Sequence, residues 1–224
     1  MKGLLLRTVM LSGIALLSIG ATPNWTATVT KTDGGHRLGN PDAKIKLITF
    51  ESYTCPHCAH FEQEASSALK LAYVQPGKLS LEVRHVIRDP VDLTAAMLTN
   101  CGAPAKFFAN HTAFFSRQDQ WIATMSNASK TQRDRWYTGD PAARRRAVAA
   151  DFGFYKIMEG RGYSRPQADA CLKDEALAKR LAESSAADDK KYGITGTPSF
   201  ALNGVLLAAT YDWQLLRLQI DARL

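Results

Sequence analysis

Cys55-Pro56-His57-Cys58 stands between a strand-like run, Ile45-Lys46-Leu47-Ile48-Thr49-Phe50, and a helix-like run that opens at Phe61-Glu62-Gln63-Glu64. No other feature constrains the chain as much, because it sets a strand, a tight connection and a helix around two thiols. Two cysteines separated by two residues at a helix start can close a small disulfide and reopen it. The first thiol faces unpaired backbone N–H groups and the positive end of the helix dipole, which favour thiolate over thiol. Such a setting lowers a cysteine pKa from about 8.5 to roughly 3.5–7.5, and thiolate is the reacting species. The placement points to redox chemistry.

The flanking pattern extends this unit. Residues from Cys55 to about Gln75 read as one helix, with Phe61, Ala65, Ala68, Leu69 and Ala72 near helical spacing, and Pro76-Gly77 ends it. Leu79 to Ile87 alternates as a second strand, closed by Asp89-Pro90. Strand–helix–strand implies two parallel strands joined by a crossover. From Val91 to Tyr192 no strand pattern occurs, and the sequence predicts helices over about 91–102, 104–117, 129–136, 141–158, 165–172 and 174–191. Strand signals return at Ser199-Phe200-Ala201-Leu202, where Asn203-Gly204 marks a hairpin to Val205-Leu206-Leu207. Asp212 to Leu224, with Leu215, Leu216, Leu218 and Ile220, reads as a closing helix. The expected architecture is α/β: a thioredoxin-like domain over 41–90 and 193–224, interrupted by an all-helical domain over 91–192. Residues 22–40 are polar and read as a tether, with a short strand at Ala27-Thr28-Val29-Thr30.

The start of the chain reads as an export signal. Met1-Lys2-Gly3 and Arg7 precede an apolar stretch from Val9 to Ile19 and the small residues Gly20 and Ala21. The stretch is shorter than the ~20 residues of a membrane span, so residues 1–21 are expected to be a signal peptide rather than a retained anchor. No cysteine follows the apolar run, which argues against a lipid-anchored form. Export places the four cysteines in an oxidising compartment where disulfides persist. Four cysteines allow three pairings. The spacing makes Cys55–Cys58 the natural first pair, leaving Cys101 and Cys171 for each other or as two buried free thiols. The formal charge of +7 is modest and aids solubility. Arg144-Arg145-Arg146 lies in a helical run without aromatic interleaving, and reads as a solvated face rather than a nucleic-acid site.

Cys55-Pro56-His57-Cys58, the signal segment, the inserted helices and Gly193-Ile194-Thr195-Gly196-Thr197-Pro198-Ser199-Phe200 together resemble the DsbA-like thiol:disulfide oxidoreductases of bacterial envelopes. The resemblance covers about Leu38 to Leu224. It implies a periplasmic enzyme of thioredoxin fold, working as a monomer, with no cofactor beyond its own Cys55–Cys58 disulfide. Cys55 would be the exposed, low-pKa cysteine attacked by thiolates of reduced or unfolded exported proteins, and Cys58 the buried leaving group. His57 would tune the pair and Pro56 stiffen its turn. Thr197-Pro198 would be cis and lie beside the pair, where its backbone meets a substrate strand. A membrane quinone-linked oxidase of the DsbB type would reoxidise the pair. Some DsbA-like proteins also carry a second disulfide in the helical block, the place of Cys101 and Cys171. A redox relay from that pair to Cys55 is the rival role.

One departure concerns proton movement. Thioredoxin-fold redox proteins often carry a buried acid six residues before the first cysteine, and here that position is Thr49. Glu51 is two residues on, on the same strand face if alternation holds. Glu51 either substitutes as a proton relay or faces solvent at the strand end. Two further readings compete with a disulfide donor. One is a reductase or isomerase kept reduced; family isomerases usually add a dimerisation domain, for which Pro23 to Asn40 leaves no room. The other is a metal-binding module built on Cys55, Cys58 and a histidine such as His60, which lacks the further ligands a closed site needs. No metal ligand is assigned on this reading.

Overall fold

The computed structural model describes residues 23–224; the expected signal peptide, residues 1–21, lies outside the described residues. A six-stranded sheet in the order β1-β2-β4-β3-β5-β6 forms the centre. Its strands are β1 (Val29–Lys31), β2 (Gly35–Leu38), β3 (Ile45–Glu51), β4 (Leu79–His85), β5 (Ser199–Leu202) and β6 (Val205–Leu206). β3 runs parallel to β4 and antiparallel to β5, and so is central. Its burial fits that position: Ile45, Leu47, Thr49, Phe50 and Glu51 are all buried. Asn203 (φ 49°) and Gly204 (φ 84°) make the β5–β6 turn, both in the left-handed region that this hairpin requires.

Helix α1 (Pro56–Ala68) crosses from β3 towards β4 and ends in a π-helical stretch over Leu69–Val74. The wider turn changes which residues meet the sheet. Tyr73 and Val74 are buried, whereas Ala72, expected on the buried stripe, is exposed. The closing helix spans Trp213–Asp221 and is capped by the Asp212 side chain on the Leu215 N–H. It buries Leu216 and Ile220 against Phe61, Leu69 and Phe200, while Leu215 and Leu218 stay exposed.

The short strand expected at Ala27–Thr30 is present as β1, two residues further on at its start, and the rest of the expected tether contributes a second strand, β2. β2 pairs antiparallel with β4, and β1 with β2. The signal was weak because the strands are short and polar; their hold comes from tertiary contacts. His36 stacks on Phe107 at 4.0 Å, and Leu38 is buried.

Between β4 and β5 lies a block of helices: α2 (Pro90–Thr99), α3 (Phe107–Phe115), α4 (Gln118–Ile122), α5 (Thr124–Asn127), α6 (Lys130–Tyr137), α7 (Pro141–Asp151), α8 (Phe154–Gly160), α9 (Arg165–Lys173) and α10 (Glu175–Tyr192). The helix expected over 141–158 is two helices, broken where Gly153 takes a left-handed backbone, φ 68°. The 104–117 run starts as a 3₁₀ turn, Pro104–Lys106, before α3. Short helices α4 and α5 were not legible. The Arg144-Arg145-Arg146 run is also corrected. Arg145 is buried, donates to the Leu172 carbonyl at 2.6 Å and pairs with Glu175, so its charge serves the packing of α7 on the α9–α10 junction.

The fold is thioredoxin-like with a helical insertion. Two cores result. One lies on the sheet; the other, inside the insertion, contains Tyr53, Cys55 and Cys58 together with Ala95, Phe114, Phe154 and Leu172. Cys101, just after α2, is disulfide-bonded to Cys171 in α9, with their Cα atoms 5.7 Å apart. The bond closes a loop spanning 70 positions, and so restricts the unfolded chain strongly. Replacing both residues, Cys101→Ser with Cys171→Ser, is expected to reduce the unfolding free energy by roughly 2–4 kcal/mol in denaturant titrations. Unchanged stability would contradict a structural role for this bridge.

Candidate functional site

β3 delivers the chain to the site, and four residues, Ser52-Tyr53-Thr54-Cys55, separate it from α1. Buried backbone in such a connection needs hydrogen-bond partners, and the insertion supplies them. Asp92 of α2 accepts from Ser52 Oγ at 2.5 Å and from the Tyr53 N–H at 2.9 Å. Asp89, which also caps α2, accepts from Thr54 Oγ1 at 2.8 Å. Arg88 donates to the Thr54 carbonyl at 3.1 Å. Gln118 Nε2 reaches both the Tyr53 carbonyl (2.7 Å) and the Cys55 carbonyl (2.9 Å). The Tyr53 ring fills the gap against Phe114 and Phe115. Burial pushes the Asp92 carboxyl up to about 7. Asp92 and Gln118 carry no motif that could announce them. The nearest signal is Asp92 itself, a lone acid in an otherwise apolar helix.

Cys55 occupies the N-cap position of α1, and Pro56 the first turn. Pro and Cys thus have the geometry their order favours: Pro at the helix start lacks only an N–H that would be unpaired anyway. Cys55 and Cys58 are free thiols. Expected to be exposed, Cys55 is instead buried, at 3%. The reason is the loop before β5, which folds over it. The Thr197–Pro198 peptide is cis, and in its thiol form Cys55 Sγ donates to the Thr197 carbonyl at 3.1 Å, a bond that ionisation gives up. Pro56 and His57 remain exposed beside it.

The two thiols differ in acidity. Cys55 is lowered from 9.0 to about 5, chiefly by a hydrogen bond from Cys58, against the opposing effect of burial. The Thr197 side chain and the backbone N–H groups of Cys58 and His57 add to it, as expected at a helix N-terminus. Cys58 goes the other way: burial raises it first, then its bond to Cys55 and the charge of Glu51. One sulfur therefore holds negative charge and the other holds the proton.

A groove of about 520 Å³ runs beside this pair, lined by His57, His60, Thr197, Pro198, Tyr211 and Gln214 among others. His60 faces it and pairs with Glu64 at 3.3 Å. Among the described residues, Cys55, Cys58 and His60 do not belong to any group of three convergent metal-ligand side chains.

Glu51 does not face solvent. It is 1% exposed, beneath Cys58, with Glu62 of α1 and His111 of α3 beside it. Burial, then the Glu62 charge, raises the Glu51 carboxyl well above the usual range. Burial also raises Glu62, but His111 outweighs it and the net direction is down. No local pattern marks Glu62 or His111, which converge on Glu51 from separate helices. Thr49, two residues before Glu51, is buried as well.

Comparison with known proteins places the chain. A family model described as thioredoxin matches residues 31–222. A Rickettsia bellii relative, named as a candidate protein-disulfide oxidoreductase, is 29% identical over 169 residues, which is 75% of this chain and 56% of that protein. A Rickettsia typhi relative of the same description is 30% identical over 169 residues, 75% of this chain and 54% of its own length. The chain spans about half the length of the curated relatives it matches. A crystal structure of a protein-disulfide isomerase from Novosphingobium aromaticivorans is 52% identical, covers 85% of this chain and 97% of that one, and superposes with a TM-score of 0.82. That of Wolbachia pipientis alpha-DsbA1, at 22% identity, covers 83% of this chain and 88% of its own with a TM-score of 0.66, a likeness of fold.

The acidity of Cys55 has a measurable consequence. Its folded value of about 5 lies below the ordinary 9.0, so thiolate stabilises the reduced fold most above about pH 9, and this contribution is lost as pH falls through about 5. Ultraviolet thiolate absorbance of the reduced protein is expected to titrate near pH 5, in a step that Cys55→Ser removes. The stability of the reduced form relative to the disulfide form should decline over the same fall in pH. A first thiol ionising near 9 would contradict the geometry.

Proposed function

This chain belongs to the thioredoxin family, and on that premise we propose that it is a thiol:disulfide oxidoreductase that donates a Cys55–Cys58 disulfide to reduced or unfolded exported proteins. The polarised acidity of the two thiols, Cys55 low and Cys58 high, carries this reading. A client thiolate attacks Cys55 Sγ, a client–Cys55 bond forms, the Cys55–Cys58 bond breaks, and Cys58 leaves with the electron pair and takes a proton. A second client thiolate then attacks the client sulfur of the mixed disulfide. The client disulfide forms and Cys55 leaves as a thiolate. Two electrons pass from client to protein. The second step is favoured because Cys55 is a good leaving group, its low pKa marking a stable thiolate.

Thr197 and Pro198 border both Cys55 and the groove, and in this reading the groove takes an extended client segment beside the reacting sulfur. His57 adds to the electrostatics at the groove wall, and Pro56 stiffens the turn between the cysteines. No bound cofactor takes part. Reoxidation would come from a membrane quinone-linked thiol oxidase of the DsbB type. The setting would be the periplasm, supported by the export-like segment at residues 1–21. Among the described residues no helix is long and apolar enough to cross a membrane. A single chain supplies every group in the scheme, so a monomer suffices.

Isomerisation is a second reading, favoured by the 52% identity to a structure described as a protein-disulfide isomerase. It uses the same sulfurs with the opposite resting state: reduced Cys55 attacks a wrong client disulfide. The two are separated with a reduced, cysteine-rich model protein. The oxidised enzyme is expected to form client disulfides stoichiometrically without added oxidant, and Cys58→Ser, given a client that already holds a disulfide, to accumulate a mixed disulfide on Cys55 by exchange. Failure of the oxidised enzyme to transfer its disulfide, with rescue of a scrambled client only by the reduced enzyme, would overturn the donor reading in favour of isomerisation.

A further inference from the structure

Glu51 at the end of β3, Glu62 in α1 and His111 in α3 meet beneath the cysteine pair, and we propose that they form a binding site for a divalent transition-metal ion of the Zn²⁺ class. One ligand atom from each lies within 4.8 Å of the other two. His111 Nε2 stands 3.6 Å from Glu51 Oε2 and 3.5 Å from Glu62 Oε1. The residues are 1%, 9% and 2% exposed in chain order. Both Glu51 oxygens and His111 Nε2 have no hydrogen-bond partner, three of the eight such buried side-chain atoms among the described residues and the ones that converge on a single point, although most buried polar groups in folded proteins are paired.

The separations leave room for an ion among the three groups. A proton shared between imidazole and carboxylate draws nitrogen and oxygen to about 2.7–2.9 Å. Ligands bound at about 2.0–2.1 Å around a tetrahedral ion stand about 3.4 Å from one another. The observed 3.5 and 3.6 Å match the second arrangement.

The orientation of His111 agrees. Thr99 Oγ1 donates to the Ala96 carbonyl at 3.0 Å, and Tyr53 Oη donates to Thr99 Oγ1 at 3.0 Å. With its own proton committed, Tyr53 Oη accepts at 2.8 Å from His111 Nδ1–H. That tautomer leaves Nε2 with a lone pair, directed at two carboxylates. An ion placed among the three would satisfy the Nε2 lone pair and both carboxylates at once, displacing the proton that burial favours on Glu51. Metal-bound histidines are held in this way by a partner on the other ring nitrogen. Two carboxylates balance a dication, which allows all three ligands to be buried. A mixed set of one imidazole and two carboxylates suits Zn²⁺ or a neighbouring first-row dication better than Cu(I), which prefers sulfur.

The site would join the central strand, the active-site helix and the insertion at one point. Its charge would also cancel that of Glu51, which bears on Cys58, so Glu51 acts here as a ligand rather than as a carrier of protons. The inference is independent of whether the cysteine pair oxidises or isomerises.

The test uses the full protein with Cys55–Cys58 oxidised, so that these sulfurs cannot bind metal. Calorimetric titration with Zn²⁺ is expected to give one ion per chain, with a rise in the thermal unfolding midpoint. Co²⁺ is expected to give the visible bands of a tetrahedral nitrogen–oxygen site without thiolate charge transfer. Glu62→Gln and His111→Gln should remove binding, and Tyr53→Phe should weaken it about 10–100-fold through the lost orienting partner. No uptake by the parent protein, uptake unaffected by these substitutions, or a sulfur charge-transfer band would each overturn the proposal. The Co²⁺ spectrum of the parent decides the matter even if a variant fails to fold.

Discussion

The opposed acidities of Cys55 and Cys58, set at the first turn of α1, are the constraint on which the rest of the site turns. One sulfur must keep a proton while the other gives its own up. Helix geometry provides the first half of that difference. Cys55 at the N-cap meets free N–H groups, whereas Cys58, one turn in, meets the buried core and the charge of Glu51. The drop from 9.0 to about 5 at Cys55 corresponds to about 5 kcal/mol of preference for thiolate over thiol. Hydrogen bonds to a charged sulfur at a partly desolvated helix end supply energies of that order when several act together.

Those bonds need a rigid approach to the helix, which the insertion provides. Asp92, Asp89, Arg88 and Gln118 satisfy the polar groups of residues 52–55 from the far side of the cysteine pair. Across the groove, the Thr197–Pro198 loop closes over Cys55 Sγ. The reactive sulfur is therefore held between the sheet domain and its insertion, and the helical block is part of the active-site wall as well as a cover for the core.

Local features of this arrangement were legible in the sequence. The strand from Ile45, the Asn203-Gly204 turn and the closing helix that follows Asp212 each depend on residues close in the chain. So does Cys55 at a helix start. What escaped depends on distant partners. β2 is held by pairing with β4 and by His36 on Phe107, which no periodicity within residues 22–40 reflects. The π-helical stretch moved burial from Ala72 to Tyr73 and Val74. Arg145 reads as solvated until Glu175 and the Leu172 carbonyl are placed beside it. Cys55 reads as exposed until the Thr197 carbonyl covers it. Glu62, His111 and Gln118 reach the site from helices whose relative placement only the folded chain determines.

The central claim is that stabilising the Cys55 thiolate makes the dithiol the favoured form, and the disulfide a strong donor. Equilibration of the pair against glutathione buffers of known ratio measures this directly. The reduction potential is expected to lie well above the about −270 mV of thioredoxin and towards the about −120 mV of a strong oxidant such as DsbA. A value at or below that of thioredoxin would contradict it.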